Sequence, residues 1–184
     1  MEATSTEQYS WTADAVKKGA ILGFIHIFIF LILYYAMPGK LTGFSYLAII
    51  LILNLGYTTY QTIQYRNELG GYINFGSAFK YGFVLLATNG LLNILFAALF
   101  IMIEPAYPTI MAQSQLETSV FWAQKMGAPE NTIEKMRDDF NFEEIEKRFS
   151  FSGLLLTFGM GLLFYALGAC ITALIARKRE PETF

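Results

Sequence analysis

The 184-residue chain is 54% hydrophobic and only 15% charged, well short of the roughly 25% charge of an ordinary soluble domain. A net charge of −2 offers no basic field for nucleic acid. The single cysteine, Cys170, excludes an internal disulfide and any multi-cysteine metal site.

The elements follow in chain order. Residues 1–14 are polar and rich in Ser and Thr, without the apolar core of a secretion signal. Lys17 and Lys18 then introduce an apolar run at about 16–37 in which His26 stands out. Its length matches the ~20 residues of a bilayer-crossing helix, so it is expected to be retained as a span. Pro38 ends it. A second span is expected at about 42–65. Thr58, Thr59, Gln61, Thr62 and Gln64 in its last turns suggest that it surfaces gradually, with Tyr57, Tyr60 and Tyr65 at headgroup level.

A polar joint, residues 65–80, separates the second and third runs. Gly70 and Gly71 suit a helix C-terminus, and Asn74 or Ser77 can cap the next helix. The third run spans about 79–103 and stops at Glu104 and Pro105. The segment at about 104–148 is polar, with nine acidic and five basic residues. It carries two helical signals, one ending at Gly127 and one opened by Pro129, with Ile133, Met136 and Phe140 on one face. Phe142, Ile145 and Phe149 lead an apolar stripe into the last run, about 149–176, which Arg177, Lys178 and Arg179 follow.

The expected fold is an all-α membrane protein forming one integral domain. It is a four-transmembrane-helix bundle with an extracytoplasmic helical hairpin between spans 3 and 4. Short loops should make spans one, two and three sequential antiparallel neighbours. Lys17, Lys18, Arg66, Lys80 and the Arg177–Arg179 triplet share one side, against Lys40 on the other short loop. The positive-inside rule therefore puts both termini and the joint in the cytoplasm.

The joint and the outer segment also carry a resemblance. Tyr65-Arg66, Gly70-Gly71, Ile73, Phe75-Gly76 and Ala78-Phe79-Lys80 resemble the small four-span membrane proteins of Bacteroidetes grouped as domain of unknown function 4199. Glu104-Pro105-Ala106-Tyr107 is similar, although the family commonly has Asp before that proline. Met126-Gly127-Ala128-Pro129-Glu130, Ile133-Glu134 and Met136 match its outer segment. The resemblance covers roughly 17–178 and implies this topology and a bacterial inner-membrane location, with no assigned activity.

Counting at ~1.5 Å per residue from the basic ends, His26, Asn54, Asn89 and Tyr165 each lie roughly 12–17 Å deep, with Asn93 one turn beyond Asn89. One reading of this polar layer is helix-packing glue, at ~0.6 kcal/mol per hydrogen bond. The other is a proton or small-solute path around His26, the one side chain here that titrates near neutrality. Span interiors hold no acid or base other than His26, and ionisable groups at depth are the stronger functional flag, which favours glue.

Small residues point the same way. Gly19 with Gly23, and Gly161 with Gly168, allow close helix approach, either within the bundle or across a dimer. The joint's glycines are not followed by the Lys-Ser/Thr pair that a phosphate loop needs, so they read as a turn. Arg66 and Lys80 are expected to meet anionic lipid, at about 1 kcal/mol each, or a partner. Trp122 and Phe121 suggest an outer segment lying on the membrane, over the bundle mouth or against a neighbouring subunit. Glu134 with Asp138, and Glu143 with Glu144, read as a solvated acidic face. No nucleophile is placed with a base, so the expectation is a non-enzymatic accessory or assembly subunit with no cofactor. Its partners would be the bilayer and a larger membrane complex or further copies of itself. The alternative is a small transporter or channel.

Overall fold

The computed structural model describes residues 10–179. Seven α-helices follow one another: α1 (Trp11–Ala36), α2 (Phe44–Glu68), α3 (Phe75–Ile103), α4 (Tyr107–Lys125), α5 (Glu130–Asp138), α6 (Phe142–Lys147) and α7 (Phe151–Ala176). A 3₁₀ turn, Pro38–Lys40, lies between α1 and α2. The four longest helices are each long and apolar enough to cross a membrane.

Their apolar side chains point outward. In each spanning window no more than 28% of the residues are buried. Phe24 and Phe28 on α1, Ile52 on α2, Leu99 on α3 and Phe164 on α7 all stand more than half exposed. A water-soluble protein rarely shows so much contiguous apolar surface, whereas in a membrane it is what lipid covers. The inward side combines small and polar groups with a few large apolar ones, among them Leu22, Leu85 and Leu86.

Steric access sets which helices meet. α3 is the central helix, packed against α1 on one flank and α7 on the other. On α1, Gly19 lies so close to α3 that a Cβ would fall 2.4 Å from the Leu85 carbonyl oxygen, and Gly23 rests on Leu92. α1 and α3 therefore run side by side in the same direction. The expected sequential order of spans is corrected here: α1 touches α2 little, and α2 leans mainly on α7 and α3. Gly168 on α7 sits against Leu86 and Leu55, whereas the nearest side chain to Gly161 is Tyr165 of its own helix.

The helix ends are capped by local chemistry. The Asn74 side chain accepts from the Ser77 N–H at 2.8 Å and starts α3 four residues earlier than its apolar run does. Ser150 does the same for α7 through the Gly153 N–H at 3.2 Å. That cap breaks the expected stripe from Phe142 into the last span, because α6 ends at Lys147.

Beyond the far ends of the spans, residues 104–148 hold three helices where two were expected. Gly127, at φ +79°, closes α4 and reverses the chain, a geometry glycine adopts without strain. Pro129 is the N-cap residue of α5. Ile133 of α5 is buried against Val120 and Ala123 of α4. α4 itself sits over the bundle mouth: Thr42 shares hydrogen bonds with Ser114 at 2.9 Å and Thr118 at 3.0 Å, and the Ser114 hydroxyl donates to the Pro38 carbonyl at 3.1 Å. Glu143 and Glu144 pair with Lys147 and Arg148 at 3.1 and 3.7 Å on the exposed side of α6.

Candidate functional site

One polar face runs along the inside of the bundle, from the end where α1 begins towards its middle. On α2 it comprises Asn54, Thr58, Gln61, Thr62 and Tyr65, spaced three and four apart so that all turn the same way. Thr58, Gln61, Thr62 and Tyr65 are buried, which corrects the expectation that this part of the span surfaces. α3 answers with Tyr81, Gly82, Asn89 and Asn93. The absent side chain of Gly82 leaves room for Thr58 of α2 and Thr172 of α7.

At mid-depth the amides form a chain. The Asn93 side-chain N–H donates to the Asn89 side-chain oxygen at 2.9 Å and to the Asn89 carbonyl at 2.8 Å. The Asn89 amide donates to the Asn54 side-chain oxygen at 3.0 Å, and the Asn54 amide donates to the Ile50 carbonyl at 2.9 Å. Three of the five residues expected in one layer therefore meet. Tyr165 lies beside them, its ring filling the space over Gly90. His26 shares their depth on the α1 face that turns to α3, and it is buried. Its Nε2 has no hydrogen-bond partner among the described residues.

Nearer the chain termini the polar face opens into a cleft of about 280 Å³ between α1, α2 and α3. Asp14 and Lys18 line it from α1, Gln61, Gln64 and Glu68 from α2, and Tyr81 from α3. The Tyr81 hydroxyl donates to the Asp14 carboxylate at 2.5 Å, and the Tyr65 and Tyr81 rings stack at 4.5 Å. Sequence reading passed over this cleft. The available signal was the three-and-four spacing of polar residues on α2, which otherwise looks like a span reaching water.

The opposite end is closed by aromatic rings. Tyr34, Phe100 and Tyr107 are buried with Leu41, and Phe30, Phe96 and Phe149 pack around them. Phe30 meets Phe100 and Tyr107 edge-on at 5.5 Å each. The turn through Glu104 and Pro105 delivers Tyr107 to this cluster. Burial pushes the Tyr107 hydroxyl up from its ordinary value, so it remains protonated and carries no charge into the cluster. Trp122 sits to one side, edge-on to Phe44 at 6.3 Å, with the Lys125 ammonium 5.0 Å over its ring.

The joint is a clasp more than a loose anchor. Gly70 and Gly71 take φ of +88° and +91° and turn the chain back. Ile73 and Lys178 exchange backbone hydrogen bonds, both at 3.0 Å, and the Lys178 ammonium lies 5.4 Å over the Tyr72 ring. The Arg66 guanidinium donates to the Ala176 carbonyl at 3.0 Å, satisfying an open acceptor at the C-terminus of α7 where positive charge is favoured. Phe75 stacks on Phe79 at 6.2 Å, next to Gly76, while Lys80 is exposed. Arg66→Met should release this clasp at a cost of about 1–2 kcal/mol. Hydrogen exchange at the Lys178 amide should then rise while exchange at mid-bundle amides stays slow.

No match is found among curated proteins or among solved structures. A family model described as protein of unknown function, DUF4199, matches residues 17–178, from the first turns of α1 through the joint and outer helices to Lys178. The chain belongs to that family.

Proposed function

We propose that this protein is a non-enzymatic accessory or assembly subunit of a bacterial inner membrane, acting through helix packing and its outer segment. One observation carries the reading: the mid-depth amides of Asn54, Asn89 and Asn93 are used on one another, and the far end is shut by aromatic rings. Asn54, Asn89 and Asn93 are bonded within the bundle, as helix glue would be. The Tyr34, Phe100 and Tyr107 cluster leaves apolar rings where a conduit would need water. The basic residues at the joint and beyond α7 support cytoplasmic termini, so α4, α5 and α6 face outward and offer the exposed Phe121, Trp122 and Met126 to a larger membrane complex or a second copy.

A transporter or channel centred on His26 is the second reading, favoured by the buried Nε2 that lacks a hydrogen-bond partner among the described residues. The two separate in mild detergent. An affinity-tagged chain should co-purify with a larger membrane protein at fixed stoichiometry. Isolation as a lone oligomer that carries protons into liposomes, and that loses this flux on His26→Ala while still assembling, would overturn the accessory reading.

A further inference from the structure

The cleft at the terminal end of the bundle has a composition that helix packing does not require. Its volume, about 280 Å³, is far above the ~30 Å³ share of one water. It holds both signs of charge: Asp14 and Glu68 on one hand, Lys18 on the other. Asp14 is fixed by the Tyr81 hydroxyl, and Tyr81 is 1% exposed. Lys18 stands one turn along α1 from Asp14, yet makes no ion pair among the described residues. The Gln61 amide, 8% exposed, reaches the same cavity.

We propose that this cleft is a binding site for a phosphoethanolamine group. The ammonium would donate hydrogen bonds to Asp14 and to the Gln61 side-chain oxygen, with the Glu68 charge at the rim. The phosphate would lie toward Lys18. A zwitterion is the chemistry that satisfies two carboxylates and a lysine which do not satisfy each other. The depth suits a lipid headgroup. Asp14 lies in the first turn of α1 and Glu68 ends α2, where the spans leave the apolar layer. α1 and α2 pack loosely, and the exposed Tyr60 lines the cleft, so acyl chains can run down between these two helices. Occupancy requires no partner protein, so it stands or falls apart from the accessory role.

The test is native mass spectrometry of the detergent-purified full chain, titrated with phosphatidylethanolamine, phosphatidylcholine or phosphatidylglycerol of matched acyl chains. Phosphatidylethanolamine adducts should exceed both others several-fold, since the trimethylammonium of phosphatidylcholine has no N–H to give and phosphatidylglycerol has no cation. Asp14→Asn keeps an acceptor for Tyr81 but removes the charge, and it should reduce the adduct at least threefold. Lys18→Gln should do the same through the phosphate, and Lys17→Gln, on the exposed side of α1, should not. Competition by free O-phosphoethanolamine would assign the site to a water-soluble form of the group; a lack of competition, with the lipid preference intact, would assign it to lipid. Equal retention of the three lipids, or full retention by both charge variants, would overturn the proposal.

Discussion

Gly19→Val should destabilise the bundle by about 3 kcal/mol, at the upper end of the range for inserting bulk into a packed interior. A Cβ at Gly19 would meet the Leu85 carbonyl oxygen at 2.4 Å and the Thr88 Cβ at 2.8 Å. The first of these is backbone of the central helix, so α1 has to move away as a body. The measured outcome is a lower midpoint in thermal unfolding of the detergent-solubilised protein. Gly56→Ala supplies the opposite sign on α2. Nothing lies within 4 Å of the added Cβ, and alanine favours the helix by up to about 1 kcal/mol over glycine. Gly90→Ala is intermediate: its Cβ would fall 2.3 Å from the Tyr165 hydroxyl oxygen. Pairing Gly90→Ala with Tyr165→Leu should recover most of the loss, because the two positions share one space.

Asn89→Leu should cost about 1–2 kcal/mol, more than Asn93→Leu. Asn89 both donates to Asn54 and accepts from Asn93, so its removal deprives two neighbours in an apolar layer. Asn93 is the end of the chain of amides, and its loss removes bonds to one residue alone, the side-chain oxygen and carbonyl of Asn89. Unfolding midpoints in mixed micelles rank the two. Equal costs would mean that the amides act separately and do not form a linked unit.

The parts of the fold that depend on local chemistry were legible in advance. Four apolar runs are long enough to span, Asn74 and Ser77 are both competent to cap α3, and Gly127 marks a helix end. Depth was legible too, since counting residues along a helix places Asn54 and Asn89 at one level, with Asn93 one turn beyond. Rotation was not. Helices α1, α3 and α7 are apolar almost all round, so no stripe says which side turns inward. That choice is made by steric fit, as where Gly19 and Gly23 let α1 close on α3 in preference to its sequence neighbour α2. It also explains the misreading of α2. Thr58, Gln61 and Thr62 near a span end fit either approach to water or an inward polar face, and the packing of Gly82 against Thr58 decides. His26 shows the same limit, at the right depth but with no hydrogen bond to the amides among the described residues.

The bundle is open at its terminal end, where the cleft lies, and sealed at the other by aromatic rings. Cysteine accessibility tests this directly, using single cysteines in a Cys170→Ala background and a membrane-impermeant maleimide applied from each side. Gln64→Cys should label rapidly from the side of the chain termini, and Asn54→Cys and Phe96→Cys should label from neither side. Labelling of Asn54→Cys and Phe96→Cys, continuous with the cleft and reaching the opposite face, would contradict that arrangement.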